Sequence, residues 1–278
     1  MMQSISFERA ASFYDATRGY MPGSAERIRD AIVAQTGATA HTRLLELGIG
    51  TGRIAVPFLT AGFSYAGIDL APAMLAALVA KASGWPRLPL LVRGDVGQLP
   101  FTDSSFDIIL AVHVLHLVAD WRATLHEARR VLRPHGAHLL LAKDVGEGEL
   151  PEVPLEALAP PMLAQRVWKR TLKDLGLTGK EGQPGLSPQD PAVRELLEGL
   201  GATVTTLDLA EYEREPLSAR EVVQGYSQRL YSADWAREAA LHHAAVAQIE
   251  QWLATECPEP DRPFPRKGCF RVVLATWA

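Results

Sequence analysis

The chain has 278 residues, of which 47% are apolar and 22% charged, with a formal net charge of −4. This is enough apolar content for a full core, no overall positive field to draw in nucleic acid, and, with only Cys257 and Cys269, neither a disulfide scaffold nor a zinc ribbon. No apolar run reaches ~18 residues and the Met1-Met2-Gln3-Ser4 start has no charged-then-apolar layout, so the expectation is a cytoplasmic protein that binds no membrane and no nucleic acid.

Taken in order, Phe7 to Ala16 reads as a short amphipathic helix carrying Phe13, Tyr14 and Asp15. Arg18 lies just beyond it, and Gly19-Tyr20-Met21-Pro22-Gly23 breaks it. Ser24 is placed to cap a second helix with Ile28, Ile32 and Val33 on one face. Arg43 to Leu47 reads as a strand, followed by Gly48, Gly50 and Gly52 at alternate positions and then by a helical stripe of Ile54, Phe58 and Leu59. Pro57 must kink that helix unless it begins late. A strand, glycine loop and helix in succession offer a ligand bare main chain and free N–H groups. Glu46 stands two residues before the first glycine.

Phe63 to Asp69 is the second strand, and Asp69 ends it where a ribose diol would be read. Leu70 follows, and Pro72 suits the first turn of the next helix, whose stripe is Met74, Leu75, Leu78 and Val79. Met74, nearest the strand end, serves either the core or an adenine ring. Leu88 to Val92 is a third strand, ahead of Arg93-Gly94-Asp95-Val96. Phe106 to Val112 is a fourth, apolar on both faces, and it delivers His113 to the carboxyl end of the sheet, with His116 three residues on. Asp120 caps a helix with Leu125, Ala128, Val131 and Leu132 inward, and Ala137 to Ala142 is a fifth strand. After a proline- and glycine-rich stretch from Glu147 to Gln189, with one helix around Leu163 to Leu175, a helix starts at Asp190-Pro191 and Ala202 to Leu209 alternates as a sixth strand. Ser218 with Glu221 forms a capping box, Asp234 is placed to cap a further helix, and Phe270 to Thr276 is the last strand.

This alternation predicts an α/β doubly wound sheet, in which ligands bind outside the carboxyl ends of the strands. Glu46, Gly48, Gly50, Asp69, Asp95 and His113 collect there. Three carboxylates repel a pyrophosphate and suit a cationic ligand with a ribose and an adenine. A Gly-x-Gly-x-x-Gly dinucleotide loop would also need glycine at position 53, where this chain has Arg53. His113 and His116 offer no third ligand, so no metal site is expected.

The run Glu46-Leu47-Gly48-Ile49-Gly50-Thr51-Gly52, with Asp69 and with the segment from Gly94-Asp95-Val96 to Phe106-Asp107, resembles class I S-adenosylmethionine (SAM) dependent methyltransferases. The resemblance runs from Leu44 to Leu141 and is nearest the branch that includes the quinone-biosynthesis methyltransferases. It implies a Rossmann-like seven-stranded sheet in one domain. The core would be about 40–145, 190–213 and 268–278, with a helical cap from about 1–23, 146–189 and 214–267. The last strand would run antiparallel between the fifth and sixth.

For the site, the resemblance implies SAM contacts from Glu46, Gly48, Gly50, Asp69, Leu70, Met74, Asp95, Val96 and His113. Tyr14 and Arg18 would meet the methionine carboxylate. The Asp95 carboxylate would take the adenine amino group and the Val96 amide a ring nitrogen. Read from the residues alone, Tyr14 fits a packed helix residue equally well, Asp95 a turn aspartate bonding its own backbone, and His113 a packing histidine as readily as a general base. The implied activity is methyl transfer to a small, mainly apolar acceptor held under the cap. A SAM-binding module without catalysis and an NAD-dependent oxidoreductase are the alternatives.

Overall fold

The computed structural model describes residues 4–146, 158–177, 185–235 and 237–277. Seven strands form one sheet in the order β3-β2-β1-β4-β5-β7-β6. They are β1 Arg43–Leu47, β2 Ser64–Asp69, β3 Leu90–Arg93, β4 Ile108–Val112, β5 Ala137–Gly146, β6 Thr203–Leu217 and β7 Phe264–Trp277. The first five are parallel, with Leu44 beside both Tyr65 and Ile108, and Ile109 beside Leu139. The Gly136 N–H donates to the Trp277 carbonyl, so β7 ends where β5 begins. It runs antiparallel between β5 and β6, as expected.

Alternation along the central strands explains their unbroken apolar runs. Leu45, Leu47, Ile109, Ala111, Leu139 and Leu141 face one side, where α5 (Trp121–Val131) brings Leu125, Ala128 and Val131 and α7 (Pro191–Gly199) brings Val193 and Leu197. Leu44, Ile108, Leu110, Val112 and Leu140 face the other, against Ile28 and Ile32 of α2 (Ser24–Thr36) and Phe58 of α3 (Ala55–Thr60). Both faces are covered, so neither can be polar. Helix α4 (Pro72–Val79) begins on its proline, as a residue without an N–H allows. The late start of α3 puts Pro57 at its third position, where no intrahelical N–H bond is lost and no kink is needed.

Three local expectations fail. The helix over residues 7–16 is a 3-10 turn, Glu8–Ala10, and a separate five-residue helix α1, Tyr14–Arg18. Tertiary ties override helix propensity here: the Ile5 N–H donates to the Leu117 carbonyl and the Glu8 carboxylate accepts from the Ala73 N–H. Ser24 is the first residue of α2 rather than its cap; Gly23, at φ +81°, takes the cap position and Ser24 Oγ accepts from Arg27. Asp234 does not cap the last helix. It is buried in the short α9 (Ser232–Trp235) and pairs with buried Arg237, whose charge needs a partner, while α10 (Ala239–Thr255) starts after Glu238.

The chain groups into two compact units, one of residues 1–144, 184–212 and 269–278 that holds most of the sheet, and one of 145–183 and 213–268. In the second, α6 (Pro160–Asp174), α8 (Ala219–Ser227) and α10 pack around Trp168, Val222, Val223, Ile249 and Trp252. Trp168 stacks on Tyr226 with ring centroids 4.4 Å apart. The Ser218–Glu221 capping box opens α8. Of the proline- and glycine-rich stretch, 147–157 and 178–184 lie outside the described residues.

Candidate cofactor site

The glycine loop leaves β1 at its carboxyl end. Gly48 sits at φ +68°, and a Cβ there would come within 2.6 Å of the Val114 methyl. Gly52 sits at φ +82°, and a Cβ there would come within 2.3 Å of Leu78 Cδ1. Both positions therefore require glycine for backbone angle and for space. The Gly48 and Ile49 N–H groups donate to the Ile68 carbonyl, which pins the loop to β2. Asp69 closes this arrangement: Oδ2 accepts from the Gly50 N–H at 2.8 Å and Oδ1 from the Ala71 N–H at 2.9 Å. Each oxygen keeps a further lone pair for a ligand hydroxyl. Burial raises the Asp69 carboxyl above its usual range, against these backbone donors.

Glu46 is only 3% exposed and accepts from the Tyr65 hydroxyl at 2.9 Å. Burial pushes its carboxyl up to about 8, although the Tyr65 bond and the Arg53 charge oppose the rise. A buried acid of this kind beside a bare glycine loop suits a ligand that brings positive charge.

The N-terminal segment is tied to the same loop. Asp15 accepts from Thr51 Oγ1 at 2.6 Å and pairs with Lys81 at 2.6 Å, and Lys81 in turn donates to the Thr51 carbonyl. Arg53 donates to the Arg18 carbonyl. Tyr14 thereby lines a small pocket with Glu46, Gly48, Gly50, Arg53 and Val112. Met74 is buried, and its terminal methyl packs beside Gly50. Leu70 is partly exposed at the end of β2. Val96 is buried. Asp95 is exposed, and its Oδ1 accepts from the Gly97 N–H, the turn arrangement.

The feature that sequence reasoning missed is Asp144, on β5 two residues beyond the expected end of that strand. It is 7% exposed and accepts from the Tyr20 hydroxyl at 2.9 Å and from Arg53 at 3.0 Å. Tyr212 stands edge-on to Tyr20, with ring centroids 4.9 Å apart. Burial alone would raise the Asp144 carboxyl, but Arg53 and His113 outweigh that and hold it well below the usual range. Arg53 is thus committed to Asp144 and is not available to a phosphate.

His113 stands at φ +55° just past β4, and its N–H donates to the Ala142 carbonyl. Its Nε2 lies 2.9 Å from Asp144 Oδ2 and 3.0 Å from the Asp144 amide nitrogen. The Asp144 N–H donates to Nε2, with the carboxylate standing beside the ring. Burial lowers the His113 imidazole below its ordinary value despite Asp144, so the ring is neutral at neutral pH. His116 is pushed down to about 4 by burial and by His113, Lys143 and Arg18. Among the described residues no group of three or more His, Cys, Asp or Glu side chains could hold a metal, and no helix is long and apolar enough to cross a membrane.

Comparison with known proteins agrees with this geometry. Residues 45–140 match the model of a family described as a methyltransferase domain. The ubiquinone/menaquinone biosynthesis C-methyltransferase of Dinoroseobacter shibae is 36% identical over 141 residues, 49% of this chain and 56% of that protein. The chain spans about half the length of the quinone-pathway relatives it matches. Among solved structures, a Haemonchus contortus phosphoethanolamine N-methyltransferase, in complex with S-adenosylhomocysteine, aligns at TM-score 0.53 and 15% identity over 96% of this chain and 57% of that one. The [4+2]-cyclase SpnF aligns at TM-score 0.53 and 18% identity over 98% of this chain and 96% of that one. These two share the fold, and the cyclase shows that the fold by itself does not decide the reaction. The glycine cradle, the acids beside it and the matched residues agree: residues 45–140 of this chain carry a methyltransferase domain.

Proposed function

We propose that this chain transfers the methyl group of SAM to a small, mainly apolar acceptor. The observation that carries this reading is the Asp69 carboxylate, held by the Gly50 and Ala71 N–H groups beside the glycine loop, with oxygen lone pairs left for a ribose. Bound SAM supplies a methyl carbon on a sulfonium with a neutral thioether as leaving group. The chain has to hold that group and the acceptor in line, and positioning contributes several kcal/mol, up to roughly ten.

In this assignment Asp69 takes the ribose hydroxyls and Asp95, with the Val96 amide, takes the adenine edge. Met74 packs on the ring, the ligand's positive charge draws the otherwise neutral Glu46 toward its ionised form, and Tyr14 and Arg18 hold the methionine carboxylate. Leu70, Gly48 and Gly50 offer close backbone. The charge at this edge supports a small molecule over nucleic acid. The carboxylates at this edge repel a nucleic-acid backbone, which readers of nucleic acid meet with clustered Lys and Arg.

The test is a mass-spectrometric screen of small hydroxyl, amine and carbon-acid compounds with methyl-labelled SAM. The expected result is a labelled product formed together with S-adenosylhomocysteine. Tight SAM binding without any labelled product across the screen would instead make this a SAM-binding module.

A further inference from the structure

Two side chains of α5 hold the far end of the segment that carries Asp95 and Val96. The Gly94 N–H donates to the Asp69 carbonyl at 3.0 Å, so this segment leaves the sheet beside the acid assigned to the ribose. From Asp95 the chain closes a turn. Asp95 Oδ1 accepts from the Gly97 N–H and the Asp95 carbonyl from the Gln98 N–H. Leu99 follows that turn, and Glu127 and Arg130 take both of its backbone groups. Glu127 Oε2 accepts from the Leu99 N–H at 2.7 Å, and Arg130 Nη2 donates to the Leu99 carbonyl at 3.0 Å. Arg130 Nη1 donates to the Phe101 carbonyl at 2.8 Å and to Asp103 Oδ1 at 2.7 Å. Its Nε and Nη2 donate to the two Glu127 oxygens, each at 2.7 Å. All five N–H donors of the guanidinium are thereby engaged.

With Arg130 and Glu127 side chains 32% and 22% exposed, the ion pair by itself contributes little stability. Its effect is on geometry. Val96 and Leu99 bury their side chains in the same core as Leu125 and Ala128, but apolar contact has no direction. Hydrogen bonds to both backbone groups of Leu99 do set an orientation.

We infer that Glu127 and Arg130 are positioning residues that hold the Asp95–Gln98 turn in the orientation that tells adenine from other bases. This rests on the SAM reading above and concerns the base that the cofactor site accepts. In that reading the adenine amino group donates to the Asp95 carboxylate, and a ring nitrogen accepts from the Val96 N–H. Hypoxanthine presents a carbonyl oxygen and a ring N–H at the same places, so both contacts become repulsive. Lysine cannot take over from Arg130, because a single ammonium lacks the planar fork that reaches two backbone carbonyls and two carboxylates together.

The test needs no acceptor. Titration calorimetry compares S-adenosylhomocysteine with S-inosylhomocysteine, its deaminated analogue. Wild type should prefer the adenine compound by ~10-fold or more. Arg130→Lys should weaken binding of the adenine compound and leave the deaminated one near wild type, so the preference falls toward one. Glu127→Gln should lie between. Equal weakening of both compounds keeps the ratio and shows a merely structural role, which overturns the inference. A variant that binds both as wild type does overturns it too. If wild type binds both compounds alike, Asp95 does not read the base, and the inference falls while the SAM reading stands. If wild type binds neither, the SAM reading falls and takes the inference with it.

A measurement on wild type alone covers variants that fail to fold. The Leu99 amide hydrogen should exchange at least ~10²-fold more slowly than an unstructured amide. Exchange at the unstructured rate would show that Glu127 and Arg130 do not hold the turn, and would overturn the inference.

Discussion

Replacing Glu46 by Gln isolates the cost of a buried acid at the loop. Glu46 is 3% exposed, its carboxyl is displaced from the ordinary 4.5 to about 8, and its hydrogen-bond donor is the Tyr65 hydroxyl. Gln has nearly the same shape and keeps an oxygen for Tyr65. Below about pH 4.5 the folded and unfolded chains both hold the proton, and the group adds no pH dependence. Between about 4.5 and 8 the unfolded chain ionises while the buried carboxyl stays neutral. The folded state then binds more protons, so stability falls by about 1.4 kcal/mol per pH unit and levels off above 8. The full interval amounts to about 4–5 kcal/mol, a large part of the ~5–15 kcal/mol that holds a domain together. Urea unfolding followed by tryptophan fluorescence at pH 5 and pH 8.5 measures it. Glu46→Gln should match wild type near pH 5 and exceed it by several kcal/mol at pH 8.5. Other titrating groups cancel in the difference. A difference that does not change with pH would show that Glu46 ionises freely in the folded protein and would refute the reasoning.

Two further substitutions probe the loop and its anchor. Gly52→Ala meets Leu78 as well as a φ of +82°, whereas Gly62→Ala has nearly the same φ and no atom within 4 Å; thermal unfolding should show the first costing about 1–3 kcal/mol more than the second, and equal losses would mean that packing at Leu78 is irrelevant. Arg53→Met leaves the buried Asp144 carboxylate without its cation and should destabilise by about 3–5 kcal/mol. Adding Asp144→Asn to Arg53→Met should recover part of that loss in the same denaturation assay, and strictly additive losses would show that the two side chains do not interact.

The sheet was legible because its signals are local and periodic. The runs Arg43–Leu47 and Ile108–Val112 are apolar enough to require cover on both faces, and Gly48, Gly50 and Gly52 mark the turn between strand and helix. Asp69 was legible through its place at the end of β2. Asp144 was not. Lys143-Asp144 looks like a polar exit from a strand, yet β5 runs on to Gly146, because Arg53 and Tyr20 bring donors to Asp144 from distant positions. Arg53 itself was read only as a missing glycine, and its role as a buried cation needs the third dimension. The same holds for Glu8 and Asp15: their partners, Ala73, Thr51 and Lys81, lie more than thirty residues away, and no spacing pattern links them. Ser24 and Asp234 carry ordinary capping chemistry, but Gly23 and Glu238 take those positions and Asp234 serves Arg237 instead.

The central claim is that the loop from Gly48 to Gly52, with Asp69, is a SAM site. Titration calorimetry of the wild-type chain and of Asp69→Ala, each with SAM, S-adenosylhomocysteine and NAD, tests it most directly. SAM and S-adenosylhomocysteine should bind wild type and NAD should not. Asp69→Ala should lose at least about tenfold in SAM affinity, since each charge-assisted bond to the ribose contributes about 1.5–3 kcal/mol. Unchanged SAM binding by the variant would contradict the role of Asp69, and binding of NAD in place of SAM would contradict the account as a whole.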